Sequence, residues 1–312
     1  MADHDDNLAV RAAWLHYVGG LTQAAVAKRL GIPSVKAHRL IARAVAEGVV
    51  KVSIDGVIAE CADLEAELCR RYGLAYCEVS PDVDEDGLAL ATLGHAGANF
   101  LRREIETGDS KVIGLGHGRT LSAAVQQLPR IAAGDKRFVS LLGGLTRNYA
   151  ANPYDVMHQL AQKTGTQAYV MPVPFFANTQ EDRDVLLAQR GVREVFDLAS
   201  SADLKIVGIG TVDGEAHLLK SGMLEKHEVE EIAALGGVGE MLGLFFDAKG
   251  RLLETSVTRR TLAASLSKTR DDRLVAIAGG ALKTEAISAV LYSHSLYGLI
   301  TDERSARTLL ER

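Results

Sequence analysis

With 312 residues, 47% of them apolar and 24% charged, the chain has the composition of a globular protein with room for two domains, which excludes a disordered chain. The net charge of −5 hides an uneven distribution: residues 21–51 hold Lys28, Arg29, Lys36, Arg39, Arg43 and Lys51 against Glu47, a local +5 that leaves −10 elsewhere. Cys61, Cys69 and Cys77 contain no C-x-x-C pair, and neither the acidic start MADHDDNLAV nor any later stretch gives an apolar run of about 18 residues, so a disulfide framework, a signal peptide and a membrane span are excluded and a cytoplasmic location is expected.

Residues 8–18 are predicted to form a first helix, with Val10, Trp14 and Val18 at four-residue spacing and Trp14 expected in the core. Thr22 is placed to cap a second helix carrying Ala25, Val26 and Leu30, and Gly31 to Pro33 then turn the chain. In the helix that follows, Lys36, Arg39 and Arg43 lie within about 60° of one another at 100° per residue, with Ala37, Ile41, Ala44 and Val45 opposite. One packing face and one basic face on the second helix of such a pair are what the major groove of DNA requires. The expected DNA-binding residues are Gln23, Ser34, Val35, Lys36, His38, Arg39 and Arg43.

The alternating VVKVSI and its turn at Asp55-Gly56 read as a short wing. A helix-turn-helix, winged-helix-like domain is therefore expected over residues 1–56. Residues 63–72 read as a connecting helix with both domains and a partner subunit as neighbours. Because one such module presents too small a surface for a specific operator, a homodimer or homotetramer on double-stranded operator DNA is expected.

From Ala75 onward strands alternate with helices. Strands are predicted at AYCEVS, KVIGLG, RFVSLL, QAYVMPV, KIVGIGTV, RLVAIAGG and LYGLIT, with helices at LATLGHAGANFLRREIE, TLSAAVQQL, YDVMHQLAQKT and KTEAISAVLYSH. Short apolar runs ending in glycine and followed by amphipathic helices predict an α/β, Rossmann-like parallel sheet covered on both faces, assigned to residues 57–312. FFDAKGRLL interrupts the rhythm as a hairpin turning at Lys249-Gly250.

Ligands in such sheets bind where strands end and helices begin. Gly116, His117, Gly118, Arg119 and Thr120 form one such exit, where glycines admit a ligand to the backbone and helix N–H groups favour anionic or hydroxyl oxygens. Gly144 and Gly279 mark others. Lys283, one turn into a helix, is placed to reach a phosphate or hydroxyl, and Glu240 and Asp247 to accept from polyol hydroxyls. The loop lacks the dinucleotide fingerprint and the Lys-Ser/Thr of a P-loop, so no nucleotide cofactor is expected. His95, His117, His158, His217, His227 and His294 show no metal-ligand spacing, and no G-x-S-x-G elbow is present.

Taken in order, LTQAAVAKRLGIPSVKAHRLIARAVAEGVV, GLGHGRTL, LLGG, VGIGT, GGVGEMLGLFFDAKG and AGGALKTEAISAVLYSHSLYGLITDERSARTLL resemble the SorC family of sugar-responsive bacterial transcriptional regulators, and the first 45 or so residues are most similar to its regulators of erythritol catabolism. The resemblance implies a helix-turn-helix followed by an effector domain similar to ribose-5-phosphate isomerase and glucosamine-6-phosphate deaminase. It also implies repression of a catabolic operon, a small sugar, polyol or sugar-phosphate effector, and phosphate-type contacts at Gly116, Gly118, Thr120 and Lys283. His117 stands where the family usually has Trp. The alternative, a sugar-phosphate isomerase or deaminase with an accessory domain, needs a poised acid and base; only Glu240, Asp247 and Lys283 are available and no pair is recognisable, so no enzyme is expected.

Overall fold

The structure is a computed structural model that describes residues 2–50, 58–83, 89–144, 155–213, 217–220, 222–266 and 273–312. It divides into two compact units, Met1–Asp55 and Gly56–Arg312.

In the smaller unit, α1 (Ala2–Ala13) runs into a π-helical turn (Trp14–Val18), followed by α2 (Gln23–Leu30) and α3 (Ser34–Ala46). Thr22 caps α2, its hydroxyl oxygen accepting from the Ala25 N–H at 3.3 Å, and Gly31 ends it in the left-handed region at φ 65°. Pro33 then enters α3 from an extended conformation. Ala9, Ala12, Ala13, Val26, Ala27, Ala37, Leu40, Ile41 and Ala44 form the core. Two expectations fail here. Trp14 is not core but 60% exposed, because small alanines fill the inward face of α1 and the stripe of Val10, Trp14 and Val18 faces outward. Val45 is also exposed: the narrow stripe of residues 37, 40, 41 and 44 suffices to cover the neighbouring helices, and Val45 lies at its edge. The expected wing at 49–54 falls largely outside the described residues.

The larger unit is built on a seven-stranded sheet. Its strands are β1 (Tyr76–Ser80), β2 (Val112–Leu115), β3 (Arg137–Gly144), β4 (Ala168–Pro174), β5 (Leu204–Val207), β10 (Arg273–Ile277) and β11 (Gly298–Asp302). Every pairing is parallel, in the order β1-β11-β10-β5-β2-β3-β4. Between β5 and β10, four short strands form an antiparallel sheet: β6 (Gly210–Thr211), β7 (Gly237–Met241), β8 (Leu244–Asp247) and β9 (Leu252–Leu253). The hairpin expected at Lys249-Gly250 joins β8 to β9, with the Gly250 N–H donating to the Asp247 carbonyl at 2.9 Å.

Alternate residues of each parallel strand serve opposite faces of the sheet. Ile113, Leu115, Phe138, Leu204, Ile206, Val275, Ile277 and Ile300 share a core with α5 (Leu90–Glu106), α6 (Arg119–Gln127) and α7 (Val156–Thr164). Val112, Val139, Leu141, Leu274, Ala276 and Leu299 belong to a second core, which includes residues of α4 (Ala59–Tyr72), α13 (Thr284–Tyr292) and α14 (Glu303–Glu311). The helix expected at 63–72 begins earlier and is fastened within this unit, its Tyr72 hydroxyl donating to the Leu309 carbonyl at 2.9 Å and its Glu65 carboxylate accepting from the Val79 N–H at 2.8 Å. Further helices, α8 (Gln180–Ala188), α9 (Arg190–Ser200), α10 (His217–Lys220), α11 (Lys226–Ala234) and α12 (Ser256–Arg259), complete the unit.

Successive crossovers carry β2, β3 and β4 outward in one direction, whereas β5, β10 and β11 lie on the other side of β2. The sheet thus reverses between β2 and β5, and a crevice opens at the carboxyl ends of strands at such a reversal. Phe138 is fully buried near the start of β3, in the core beneath the sheet. Phe138→Ala should lower unfolding free energy by about 3–5 kcal/mol, read as a lower urea midpoint at unchanged slope.

Candidate functional site

The crevice between the ends of β2 and β5 is a cleft holding about 740 Å³ of space, counting that open to solvent. From β2 and the start of α6 come Gly116, His117, Gly118, Arg119, Thr120 and Leu121; Gly208, Ile209, Gly210 and Thr211 follow β5; Glu240 and Leu242 come from the antiparallel sheet, and Lys283 from the turn after β10. Leu142, Phe175 and Leu218 complete an apolar side.

Each piece is held by backbone geometry. The Gly116 N–H donates to the Ile206 carbonyl at 2.8 Å, extending the β2–β5 pairing by one residue before the chain turns. Gly118, at φ 125°, adopts a conformation that side chains disfavour and starts α6. The first N–H groups of that helix have no partner within it and add partial positive charge at the cleft. His117 Nε2 lies 3.0 Å from the Ser140 hydroxyl, which itself donates to the Leu142 carbonyl at 2.7 Å. With the serine proton so directed, Nε2 carries the imidazole proton.

Glu240 sits on β7 opposite Gly210, and its Oε1 accepts from the Gly243 N–H at 2.6 Å. Its Oε2 would lie 2.6 Å from a Cβ on Gly210, so that glycine leaves room for the carboxylate. Burial pushes the Glu240 carboxyl up to about 7, against the opposing pull of the Gly243 hydrogen bond and the Lys283 charge. Lys283 Nζ donates to the Ile209 carbonyl at 2.6 Å. Burial, with repulsion from Arg119, lowers its ammonium to about 8. Two cations and one weakly ionised carboxyl thus face a space lined by backbone donors and carbonyls, an arrangement suited to a small ligand rich in hydroxyls.

Of the residues expected to bind effector, Gly116, His117, Gly118, Arg119, Thr120, Glu240 and Lys283 meet in this cleft. Gly144, Asp247 and Gly279 do not line it. Asp247 instead closes the β8–β9 hairpin, accepting from the N–H groups of Lys249 and Arg251 at 2.9 Å each and pairing with the Arg251 guanidinium at 2.6 Å. Those bonds hold its carboxyl below the usual range despite desolvation. Gly279 lies against the Asp302 carboxylate, which accepts from the Gly280 N–H at 2.8 Å. Sequence reasoning missed Phe175, Leu142 and Leu242; the apolar run ending at residues 175–176 was the available signal for the first. Among the described residues no cluster of His, Cys, Asp or Glu is arranged to hold a metal ion, and no helix is long and apolar enough to cross a membrane.

In the smaller unit, Ser34, Val35, Lys36, His38 and Arg39 are exposed along α3, with Val35 72% exposed. His38 Nδ1 lies 3.1 Å from Gln23 Oε1, joining the starts of α2 and α3 on one face. Arg43 is half-buried at the side chain and pairs with Glu47 at 2.6 Å.

Comparison with known proteins agrees with this architecture. The Sugar-bind family of sugar-binding domains matches residues 57–311, and the chain belongs to that family of regulators. The erythritol catabolism regulatory protein EryD of Brucella abortus is 69% identical over 310 residues, covering 99% of this chain and 98% of that protein. The transcriptional regulator LsrR of Klebsiella pneumoniae is 32% identical over 98% of this chain and 93% of its own length. The crystal structure of the full-length sorbitol operon regulator SorC from Klebsiella pneumoniae superposes with a TM-score of 0.71 at 26% identity, covering 98% of this chain and 99% of that one. These relatives are named as regulators of transcription, not as enzymes.

The cleft's ionisation sets a pH signature. Folded Glu240 keeps its proton to about pH 7 whereas an ordinary glutamate loses it near 4.5, so the folded chain holds the extra proton and stability falls as pH rises through that window. Lys283 releases its proton near 8 rather than 10.5, so above 8 the unfolded chain binds more protons and stability recovers toward 10.5. Glu240→Gln should flatten the first slope and Lys283→Met the second in thermal unfolding followed across both windows.

Proposed function

We propose that this chain is a DNA-binding repressor whose grip on its operator is set by a small polyhydroxylated metabolite in the β2–β5 cleft. Residues 1–56 act as a helix-turn-helix domain, with α3 in the major groove, and residues 57–312 as an effector domain similar to the sugar-phosphate isomerases and deaminases. The observation that carries this reading is the convergence of the α6 N-terminus, Arg119, Lys283 and Glu240 on one cleft at the reversal of a parallel sheet. The exposure of Ser34, Val35, Lys36, His38 and Arg39 on one helix supports the DNA-reading role. Operator binding by one module is weak, so the working form is a homodimer or homotetramer.

Charge counting refines the ligand. With Asp247 engaged in its hairpin, Arg119 and Lys283 face Glu240 alone among the charged residues described at the cleft. That surplus favours an anionic group beside α6, with Glu240 accepting from hydroxyls at the other end. The high identity to a regulator named for erythritol catabolism directs the choice to erythritol and its phosphate, the phosphate being the tighter ligand. A sugar-phosphate isomerase or deaminase reading is not favoured, since the relatives are named as regulators and Glu240 is the sole carboxylate among the described residues that line the cleft.

Calorimetry with erythritol and erythritol 4-phosphate tests the assignment. Lys283→Ala should weaken a phosphorylated ligand by about 1.5–3 kcal/mol but a neutral one by only about 0.5–1.5 kcal/mol. Binding of neither compound rejects this ligand class.

At Gly116 an added Cβ would meet Leu121, Ile206 and Leu242 at ordinary contact distances of 3.5–3.6 Å. Gly116→Val should therefore fold, place its branches at the cleft, and leave DNA binding insensitive to effector; normal induction would return this glycine to a packing role.

Arg39→Ala should weaken operator binding by roughly 1–3 kcal/mol per half-site while sparing effector binding. Unchanged isotherms at fixed salt would remove α3 from the groove.

A further inference from the structure

Strands β7 and β8 are joined by a two-residue turn, Leu242-Gly243, closed by the pairing of Met241 with Leu244. Both turn residues have positive φ, 53° and 74°, the signature of the type I′ turn that matches the twist of an antiparallel hairpin. Asparagine, aspartate or glycine ordinarily fills the first of these positions, because a bulky side chain crowds the backbone in the left-handed region. Here it is leucine. Of the three described non-glycine residues with positive φ, Ala89, Leu242 and His294, it alone lines the cleft. The surroundings hold the turn in this conformation: the Gly243 N–H donates to Glu240 Oε1 at 2.6 Å, and a Cβ on Gly243 would meet Thr261 Cγ2 at 2.6 Å and Phe175 Cζ at 3.0 Å. So pinned, the turn sends Leu242 across to the exit of β2, where its Cδ2 lies 3.6 Å from the place a Cβ on Gly116 would take. One short turn therefore delivers both the carboxyl that accepts from hydroxyls and, two residues on, a branched hydrocarbon surface at the glycine loop.

We infer that Leu242 is the residue that limits the length of the effector, acting as an apolar stop for the carbon chain. The inference rests on the polyhydroxylated effector proposed above and adds which member of that class the cleft takes. A chain anchored by its anionic group beside α6 and by hydroxyls at Glu240 ends against the leucine. Hydrocarbon offers a hydroxyl no partner, and a hydroxyl pressed against it forfeits its bonds to water. A short chain keeps every hydroxyl on the polar groups of the cleft, whereas each further hydroxymethyl group is driven onto Leu242. A left-handed residue held against its backbone preference at a ligand cleft is the kind of outlier from which function is read. Asparagine at this position relieves the backbone and supplies a carboxamide to bond an additional hydroxyl, so exchanging the two residues exchanges the preference for chain length.

The test is calorimetry of the full-length protein with erythritol 4-phosphate, ribitol 5-phosphate and sorbitol 6-phosphate, read as ratios of affinity. Wild type should bind the four-carbon ligand about tenfold or more tighter than the six-carbon one, the size of effect a misfitted carbon has in an apolar pocket. Leu242→Asn should bring that ratio to about threefold or below, and Leu242→Met, of similar volume, should keep it. Equal affinity of wild type for the four- and six-carbon ligands overturns the inference and leaves the effector reading standing. A Leu242→Asn protein that loses the same factor for all three ligands also overturns it, since that result assigns Leu242 to packing alone. Should Leu242→Asn fail to fold by circular dichroism, wild type labelled at its leucine methyl groups decides. Nuclear Overhauser contacts between the Leu242 methyls and the C–H protons of bound erythritol 4-phosphate support the stop, and their absence removes it. Wild type that binds none of the three rejects the effector reading itself, and the stop with it.

Discussion

Burying both faces of a parallel sheet leaves only its strand ends available for chemistry. Side chains along β2, β3, β5 and β10 are committed alternately to two cores, and parallel strands deliver all their helix connections at the same edge. The reversal of strand order between β2 and β5 then opens that edge at one place. Everything that characterises the cleft follows from it: glycines where the backbone must turn and stay accessible, a helix N-terminus directed at the opening, and polar side chains brought over the rim by later elements.

The inserted antiparallel sheet supplies what the parallel one cannot. Strand β7 carries Glu240 to the rim, and Gly239 allows its backbone to approach α13 closely, since a Cβ there would meet the Ala286 carbonyl at 2.8 Å. Lys283 precedes that same helix. The carboxyl and the ammonium are thus positioned by two elements packed on each other, which fixes their separation before any ligand arrives. Preorganised polar groups of this kind recognise a ligand at low reorganisation cost.

Much of this was legible in the residues. The α5 helix was read at its observed bounds, and strand-to-helix exits were marked by Gly116, Gly144 and Gly279, because parallel strands buried on both sides appear as continuous apolar runs. Helices α8 and α9 were not read, and α8 has no buried side chain from which a periodic stripe could arise. Strand β7, spelled GVGEM, has a single branched residue, Val238, set between two glycines, too little to mark a strand. Asp247 and Glu240 looked alike in sequence, since nothing local says that one acid will accept from its own hairpin and the other will face a cleft. Trp14 failed for the opposite reason: its periodicity was real, but spacing alone does not tell an inward stripe from an outward one when alanines can fill the core.

The ionisation of the cleft carries over to heat. Glu240 and Lys283 titrate near 7 and near 8, so at neutral pH the empty site holds a fractional complement of protons. A ligand that fixes the carboxylate form of Glu240 expels a proton, and one that completes the charge of Lys283 takes one up. The enthalpy of binding therefore includes the ionisation enthalpy of the surrounding buffer. Titrations in two buffers of different ionisation enthalpy will give different heats for the same affinity, and their difference counts the protons exchanged.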